Sequence, residues 1–267
     1  MKSGLLHEFV VLAHGESPHL ETCLRSLMAQ VGADQHVSIF TSTPSAHHDQ
    51  IARKFAVEIR TASTPGGIGE NWNRAYSTAR SRYVTLAHQD DVYAPDYLRT
   101  LLALMQRVPN SLMGFTNSDE CSDAGRRPTT LNLRIKRMLV RRAFGRAQAI
   151  HTESDKRRLL AWGNPVCCPS VMLHRERLEH FRFREDLTSN LDWEAWANLA
   201  AKDGAFCFAD GVLVSKRVHA SSETTALIAN RRREQEDRVM FRRFWPPLIA
   251  DIISSLYRAS YRGNRVS

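Results

Sequence analysis

Cysteine is scarce and odd in number: five in 267 residues, of which only Cys167 and Cys168 are adjacent. No C-x-x-C pair and no His/Cys cluster at zinc-ligand spacing occurs, which argues against a disulfide framework or a zinc site and for reduced thiols in a cytoplasmic protein. Long apolar runs are also missing, since nothing reaches the ~18 to 20 residues that span a bilayer. The best candidate, FWPPLIADIISSLY, carries Pro246, Pro247 and Asp251. The opening MKSGLLHEFVVLAHGE lacks a signal-type cleavage site, and His7 and Glu8 interrupt its apolar stretch, so it reads as a first strand rather than an export signal. Internal repeats and low-complexity tracts are absent. Acids are under-represented, with 28 Asp and Glu against 37 Lys and Arg. The resulting +9 formal charge attracts phosphate of any origin, whether nucleotide, nucleic acid or anionic lipid. With 43% hydrophobic residues the chain can bury an ordinary core, as one large domain or a domain with an appendage.

What is present alternates between two periodicities. Phe9–Ala13 (FVVLA), Val37–Thr41 (VSIFT), Val57–Thr61 and Tyr83–Ala87 (YVTLA) are short β-branched runs. Between them lie helical patterns: Leu20, Cys23, Leu24, Leu27 and Met28 after Pro18, a stretch from about Ala46 to Phe55, and Trp72, Ala75, Tyr76 and Ala79 after a Gly-rich turn. This alternation predicts βαβ crossovers and a mostly parallel sheet. Ligands of such sheets bind beyond the carboxyl ends of the strands, where His14, the Thr41–Ser45 turn and His88–Asp91 all fall. Further on, Gly163–His174 predicts a loop into a buried strand, Asp192–Ala201 a helix, and Ala205–Val214 a strand pair around Gly211. The Arg126–Arg158 segment is densely basic and reads as a mobile insertion or a solvated helix; the tail from Asn230 is basic, aromatic and helical in pattern.

Two carboxylates at a strand end, in HQDD, suit a hard divalent cation such as Mg²⁺ or Mn²⁺, which takes oxygen ligands from one or two carboxylates plus a substrate diphosphate. Such an ion neutralises charge on a leaving diphosphate. The alternative is that Asp91 or Asp96 simply caps the following helix, and Asp192 has the same alternative as an N-cap of DWEAW.

The ordered set VVLAHGESPHLETCLRSLMAQ, GGIGENWNRAYSTARSRYVTLAHQDDVYAPDYL, NPVCCPSVMLH, NLDWEAWANLA and VSKRVHASSET resembles the family 2 glycosyltransferases of the GT-A fold, over roughly residues 8–225. The resemblance implies an α/β, Rossmann-like, mostly parallel twisted sheet flanked by helices in residues 1–225, with a basic insertion at 126–158 and a helical C-terminal extension at 226–267. It also implies an inverting, metal-dependent transferase of hexosyltransferase type, using a nucleoside diphosphate sugar, a UDP-sugar foremost, and a glycan or lipid-linked acceptor in cell-surface polysaccharide assembly. HQDD occupies the place of the DxD motif, so Asp90 becomes the candidate metal ligand, with Asp91 beside it and His88 and Gln89 near the ribose or diphosphate. His14, Glu16 and Thr41 fall where the family lines its nucleotide pocket, and Asn73 on the helix that helps shape it. Asp192 matches the catalytic base, and His219, helped by Arg217, a late group that reaches the diphosphate or metal.

Two departures stand out. TSTPS replaces the acidic residues that commonly contact the base, and His88 and Leu191 stand where the family often has acids. A non-catalytic nucleotide-sugar binder is therefore the alternative within the fold, and a basic nucleic-acid-binding protein the alternative outside it, although no recognisable aromatic and basic module supports the latter and no nucleic acid is expected. The basic 126–158 segment and the tail suggest peripheral attachment to an anionic membrane at its inner face.

Overall fold

A computed structural model describes residues 5–32, 35–219 and 232–260. The first half follows the predicted alternation: β1 (His7–Ala13), α1 (Leu20–Met28), β2 (Gln35–Thr41), α2 (Ala46–Phe55), β3 (Glu58–Thr61), α3 (Ile68–Thr78) and β4 (Tyr83–His88). These strands run parallel in the order β3-β2-β1-β4. Strand β1 is buried on both faces, as a central parallel strand should be. Phe9, Val11 and Ala13 meet α1 residues Leu20, Cys23, Leu24 and Leu27 on one face, while Val10 joins Ala75 and Tyr76 of α3 in the core of the other.

The second half is mixed. It comprises β5 (Val92–Tyr93), α4 (Tyr97–Arg107), β6 (Ser111–Ser122), β7 (Gly125–Arg126), α5 (Leu131–Phe144), β8 (Ala149–Ile150), α6 (Glu153–Leu160), β9 (Met172–His174), α7 (Leu191–Ala200), β10 (Ala205–Arg217), α8 (Arg232–Arg242) and α9 (Pro247–Ser260). Strand β9 is inserted antiparallel between β4 and β6, and β10 runs parallel to β6 with β5 and β8 antiparallel against it.

Two expectations change here. The Ala205–Val214 region is one long strand rather than a pair, and the Asp210–Gly211 signal marks a register shift between Ala209 and Val212 against β6. The basic 126–158 segment is neither a mobile insertion nor a solvated helix. Its α5 buries Leu133, Leu139, Val140, Ala143 and Phe144, its α6 buries Leu159 and Leu160, and β8 pairs with β10. Most of the arginines lie on the outward faces, which is why composition alone suggested a solvated segment, but Arg137 turns in to donate to the Ser118 carbonyl at 3.1 Å. Helix α7 is buried nearly all round, with Leu191, Trp193, Glu194, Trp196 and Leu199 inside and Asn198 alone of its residues exposed. Trp193 packs edge-on to Phe241 of α8 at 5.0 Å, and Trp193 and Trp196 are both core.

Candidate active site

The site begins with a tight turn. Asp91 N–H donates to the His88 carbonyl at 3.2 Å, ending β4 and launching the two-residue strand β5. Because β5 pairs antiparallel with β10, Tyr93 against Val214 and Val92 against Ser215, the residues just beyond Ser215 are delivered to that turn. Arg217 N–H donates to Asp91 Oδ1 at 3.0 Å and its Nε to the Asp90 carbonyl at 3.2 Å, while the guanidinium pairs with Asp123 at 2.9 Å. His219 Nε2 lies 3.0 Å from Asp90 Oδ2. Thus two stretches more than a hundred residues apart converge through a minimal strand pair.

Asp91 is 1% exposed, and its Oδ2 has no hydrogen-bond partner among the described residues. Burial, and then the neighbouring Asp90 charge, push its carboxyl well above the usual range. His88 Nδ1 stands 3.9 Å from that same oxygen, its ring 5.3 Å from Trp72, and burial pushes its imidazole down to about 4, leaving it neutral at pH 7. One ligand atom each from His88, Asp90 and Asp91 fall within 4.8 Å of one another. A strained carboxylate pair with an unpartnered buried oxygen and a neutral imidazole is a donor set that a hard divalent cation would relieve, so the residues fit such an ion.

Asp192 sits in the first turn of α7. Asn190 occupies the N-cap, so the capping alternative for Asp192 does not hold. Asp192 Oδ2 accepts from Asn164 Nδ2 at 2.8 Å and Oδ1 from the Trp193 N–H at 2.7 Å. Burial raises its carboxyl above the usual range, while the Trp193 bond and the nearby Lys136 and Lys216 hold the rise in check. Asp96 does occupy the N-cap of α4, but its carboxylate pairs with Arg99 instead of capping.

One cavity of about 420 Å³ joins these groups, with His14, Gln89, Asp90, Asp192 and His219 all in its wall. Gln89 latches the ends of β1 and β4: its amide donates to the His14 carbonyl at 2.9 Å and accepts from the His14 N–H at 3.1 Å. Other predicted positions stand back from the cavity. Thr41 is fully buried and orders its turn by accepting from Thr43 N–H at 3.1 Å; the next residue, Ser42, reaches the wall instead. Glu16 lies exposed in the loop after β1, outside the lining. Asn73 is buried behind the wall and clamps Phe183, donating to its carbonyl at 2.9 Å and accepting from its N–H at 2.7 Å. Sequence reasoning did not single out Lys136, Asn164, Lys216, Arg233 or Tyr257, all of which line the cavity. Asn164 and Lys216 lay inside the quoted motifs, but Lys136, Arg233 and Tyr257 reach the site only through the packing of α5, α8 and α9.

A parallel half-sheet ending in a carboxylate turn, joined to a mixed half-sheet that contributes a second carboxylate across a shared cavity, is the architecture of the GT-A class. Solved structures with this fold include Staphylococcus aureus TarS 1–349 in complex with UDP-GlcNAc (TM-score 0.66, 16% identity, 94% of this chain and 70% of that one). They also include the mannosyltransferase PcManGT from Pyrobaculum calidifontis in complex with GDP-Man and Mn²⁺ (TM-score 0.62, 16% identity, 94% and 69%). The family model "Glycosyl transferase family 2" matches residues 8–181. The chain belongs to that family and is a glycosyltransferase. It is also similar to the uncharacterized protein MT1568 of Mycobacterium tuberculosis, 26% identical over 231 residues, which is 80% of this chain and 67% of that one. All five cysteines are free thiols, and no helix of the described residues is long and apolar enough to cross a membrane.

Proposed function

We propose that this chain is an inverting, metal-dependent glycosyltransferase that moves a sugar from a nucleoside diphosphate sugar to a hydroxyl acceptor, in the assembly of a cell-surface polysaccharide. The observation that carries the reading is that the His88/Asp90/Asp91 cluster and Asp192 share one cavity wall. Asp90, with Asp91 and His88 and within reach of His219, would hold Mg²⁺ or Mn²⁺. When bound, the ion supplies charge neutralisation to the departing diphosphate. The nucleotide-sugar complexes of TarS and PcManGT support the donor class, and PcManGT the ion. Their bases differ, so both UDP and GDP donors belong in any trial.

The chain's own part is to orient and to move a proton. Asp192 takes the acceptor hydroxyl proton as the new C–O bond forms at the anomeric carbon and the bond to the diphosphate breaks, an in-line displacement that inverts configuration. Asn164 and the Trp193 N–H hold its two oxygens, fixing the carboxylate plane. A carboxylate made more basic by burial is better matched to that task near neutral pH. On α9, Leu248, Ile252 and Leu256 recur at helical spacing and are 62–81% exposed, which supports peripheral contact with a membrane carrying a lipid-linked acceptor.

The test separates binding from turnover. Asp90→Asn is expected to abolish metal-dependent donor binding, and Asp192→Asn to leave donor binding intact while removing transfer. Normal turnover by Asp192→Asn with its acceptor would defeat the assignment of the base.

A further inference from the structure

Helix α5 is held to the domain by one face and presents another to solvent. Leu133, Leu139, Val140, Ala143 and Phe144 are buried, and Thr130 caps the first turn by accepting from the Leu133 N–H at 3.3 Å. The outer side carries Leu131, Ile135 and Met138 at i, i+4, i+7 spacing, 72%, 40% and 57% exposed. Arg142 continues that stripe and Arg134 and Arg141 flank it, all three exposed. Single exposed apolar residues are ordinary, but an aliphatic stripe bordered by arginines marks an interaction face.

The charge on this face has no counterpart within the protein. Other helices set an acid one turn from a surface arginine: Glu21 with Arg25, Glu70 with Arg74, Asp96 with Arg99 and Asp155 with Arg158. Helix α5 contains no acid, and among the described residues Arg134, Arg141 and Arg142 enter no ion pair. Arg137 and Arg141 stand at i, i+4, a like-charge spacing that weakens a helix. A nucleic acid would meet the cations but leave the three aliphatic side chains in water, and α5 exposes no aromatic ring on which a base could stack. An anionic bilayer meets both, since arginines reach its phosphates while aliphatic side chains enter the acyl boundary.

The location of this face bears on the reaction. Asn132, Leu133 and Lys136 of α5 and Tyr257 of α9 belong to the wall of the cavity that holds Asp192. Two helices that wall the cavity thus expose aliphatic stripes, the second being Leu248, Ile252 and Leu256. We infer that the outer face of α5 docks on an anionic lipid bilayer, with Arg134, Arg141 and Arg142 on headgroup phosphates and Leu131, Ile135 and Met138 in the boundary beneath, so that the cavity receives a lipid-borne acceptor at the membrane surface. The delivery of that acceptor rests on the reading of Asp192 as the base; the docking itself does not.

The experiment sediments the full chain with vesicles of phosphatidylglycerol and phosphatidylcholine, and with vesicles of phosphatidylcholine alone. Wild type should bind the anionic vesicles at least about tenfold more tightly than the neutral ones, and less so at high salt. Each arginine at an anionic surface contributes about fivefold to partitioning, so Arg134→Gln, Arg141→Gln and Arg142→Gln combined should weaken binding on the order of 100-fold, whereas lysine at the same three positions should preserve it. Leu131→Ser, Ile135→Ser and Met138→Ser combined should weaken it at least about tenfold. All six side chains face solvent, so Tm and Mn²⁺-dependent UDP binding should be unchanged, which separates lost docking from lost folding. Absence of binding to anionic vesicles, equal binding to both vesicle types, or indifference to both α5 variants would overturn the inference. Indifference to the α5 variants together with loss in Leu248→Ser, Ile252→Ser and Leu256→Ser would leave only the α9 contact standing. Self-association of wild type that the Leu131, Ile135 and Met138 changes abolish would assign the face to a second copy, and DNA binding tighter than vesicle binding would assign it to nucleic acid; either result overturns the inference. Failure of UDP to bind with Mn²⁺ would instead strike the donor reading and leave the docking intact.

Discussion

Glu236 offers a sharp test of how the C-terminal helices support the site. From α8 its carboxylate accepts from Thr188 N–H and Oγ1, both at 2.8 Å, from Ser189 N–H at 2.9 Å and Oγ at 2.8 Å, and from Asn190 N–H at 3.0 Å. Those three residues are the loop that leads into α7 and Asp192. Replacing Glu236 by Gln preserves size but exchanges one accepting oxygen for an NH₂ that confronts backbone donors. Hydrogen bonds to a charged group are worth about 1.5–3 kcal/mol net, and a buried donor left unsatisfied costs about 1–3 kcal/mol. A total near roughly 3 kcal/mol lowers Tm by roughly 6–12 °C in a domain of this size. Burial alone would raise this carboxyl, but the Ser189 and Thr188 bonds outweigh it and hold it below the usual Glu range. A depressed folded pKa stabilises above the unfolded value of about 4.3 and is lost as pH falls through the folded value. Thermal melts of wild type and Glu236→Gln should therefore differ at pH 7 and converge below about pH 4. Equal Tm at pH 7, or a gap that persists undiminished in acid, would refute the reasoning.

The remaining predictions address the fold and the chemistry. Glu8 is fully buried in β1, pairs with Arg60 at 2.7 Å and accepts from Ser38 Oγ and Arg80 N–H, so Glu8→Ala, which orphans those donors while Arg60 keeps Glu58 at 2.8 Å, should cost about 1.5–3 kcal/mol in urea unfolding; a loss under about 1 kcal/mol would contradict it. A Cβ at Gly69 would sit 2.5 Å from the Arg184 carbonyl and 2.9 Å from Leu191, so Gly69→Ala should cost about 1–3 kcal/mol through displaced backbone, read by the same assay. Asp192→Asn should lower kcat by on the order of 10²–10⁴ with the true acceptor, the usual worth of a positioned base. Because the base works deprotonated and burial raises its carboxyl, kcat should fall with acid through a pKa above about 3.9, seen as a rising acid limb in the pH–rate profile. A profile flat from pH 4 to 7 counts against it.

The parts of this account legible in the chain were those set by local periodicity. The FVVLA and YVTLA runs mark central strands because β-branched residues without alternation belong to a strand buried on both faces, and Ala46–Phe55 forms a helix with the bounds its pattern implies. The carboxylate turn was legible for the same reason, since a charged HQDD after a buried strand must lie at a sheet edge. What stayed hidden depends on packing across long separations. Nothing in the basic composition of α5 announces that Leu133 and Phe144 are core while Lys136 turns toward Asp192. Asn73 illustrates the opposite case: a polar residue at a motif position whose side chain, in the fold, is spent on the backbone of Phe183. Likewise Glu236, in a helix of mixed charge, becomes an anchor only because α8 packs on the entry to α7.

The central claim is that Asp90 and its neighbours hold a divalent cation against a nucleoside diphosphate in the cavity that Asp192 shares. Its most direct test is calorimetric titration of UDP and GDP into the full chain, with Mn²⁺ and again with chelator, in wild type and Asp90→Asn. Binding of at least one nucleotide should require Mn²⁺ and disappear in Asp90→Asn. Nucleotide binding of equal strength with and without the ion, unchanged by Asp90→Asn, would contradict it.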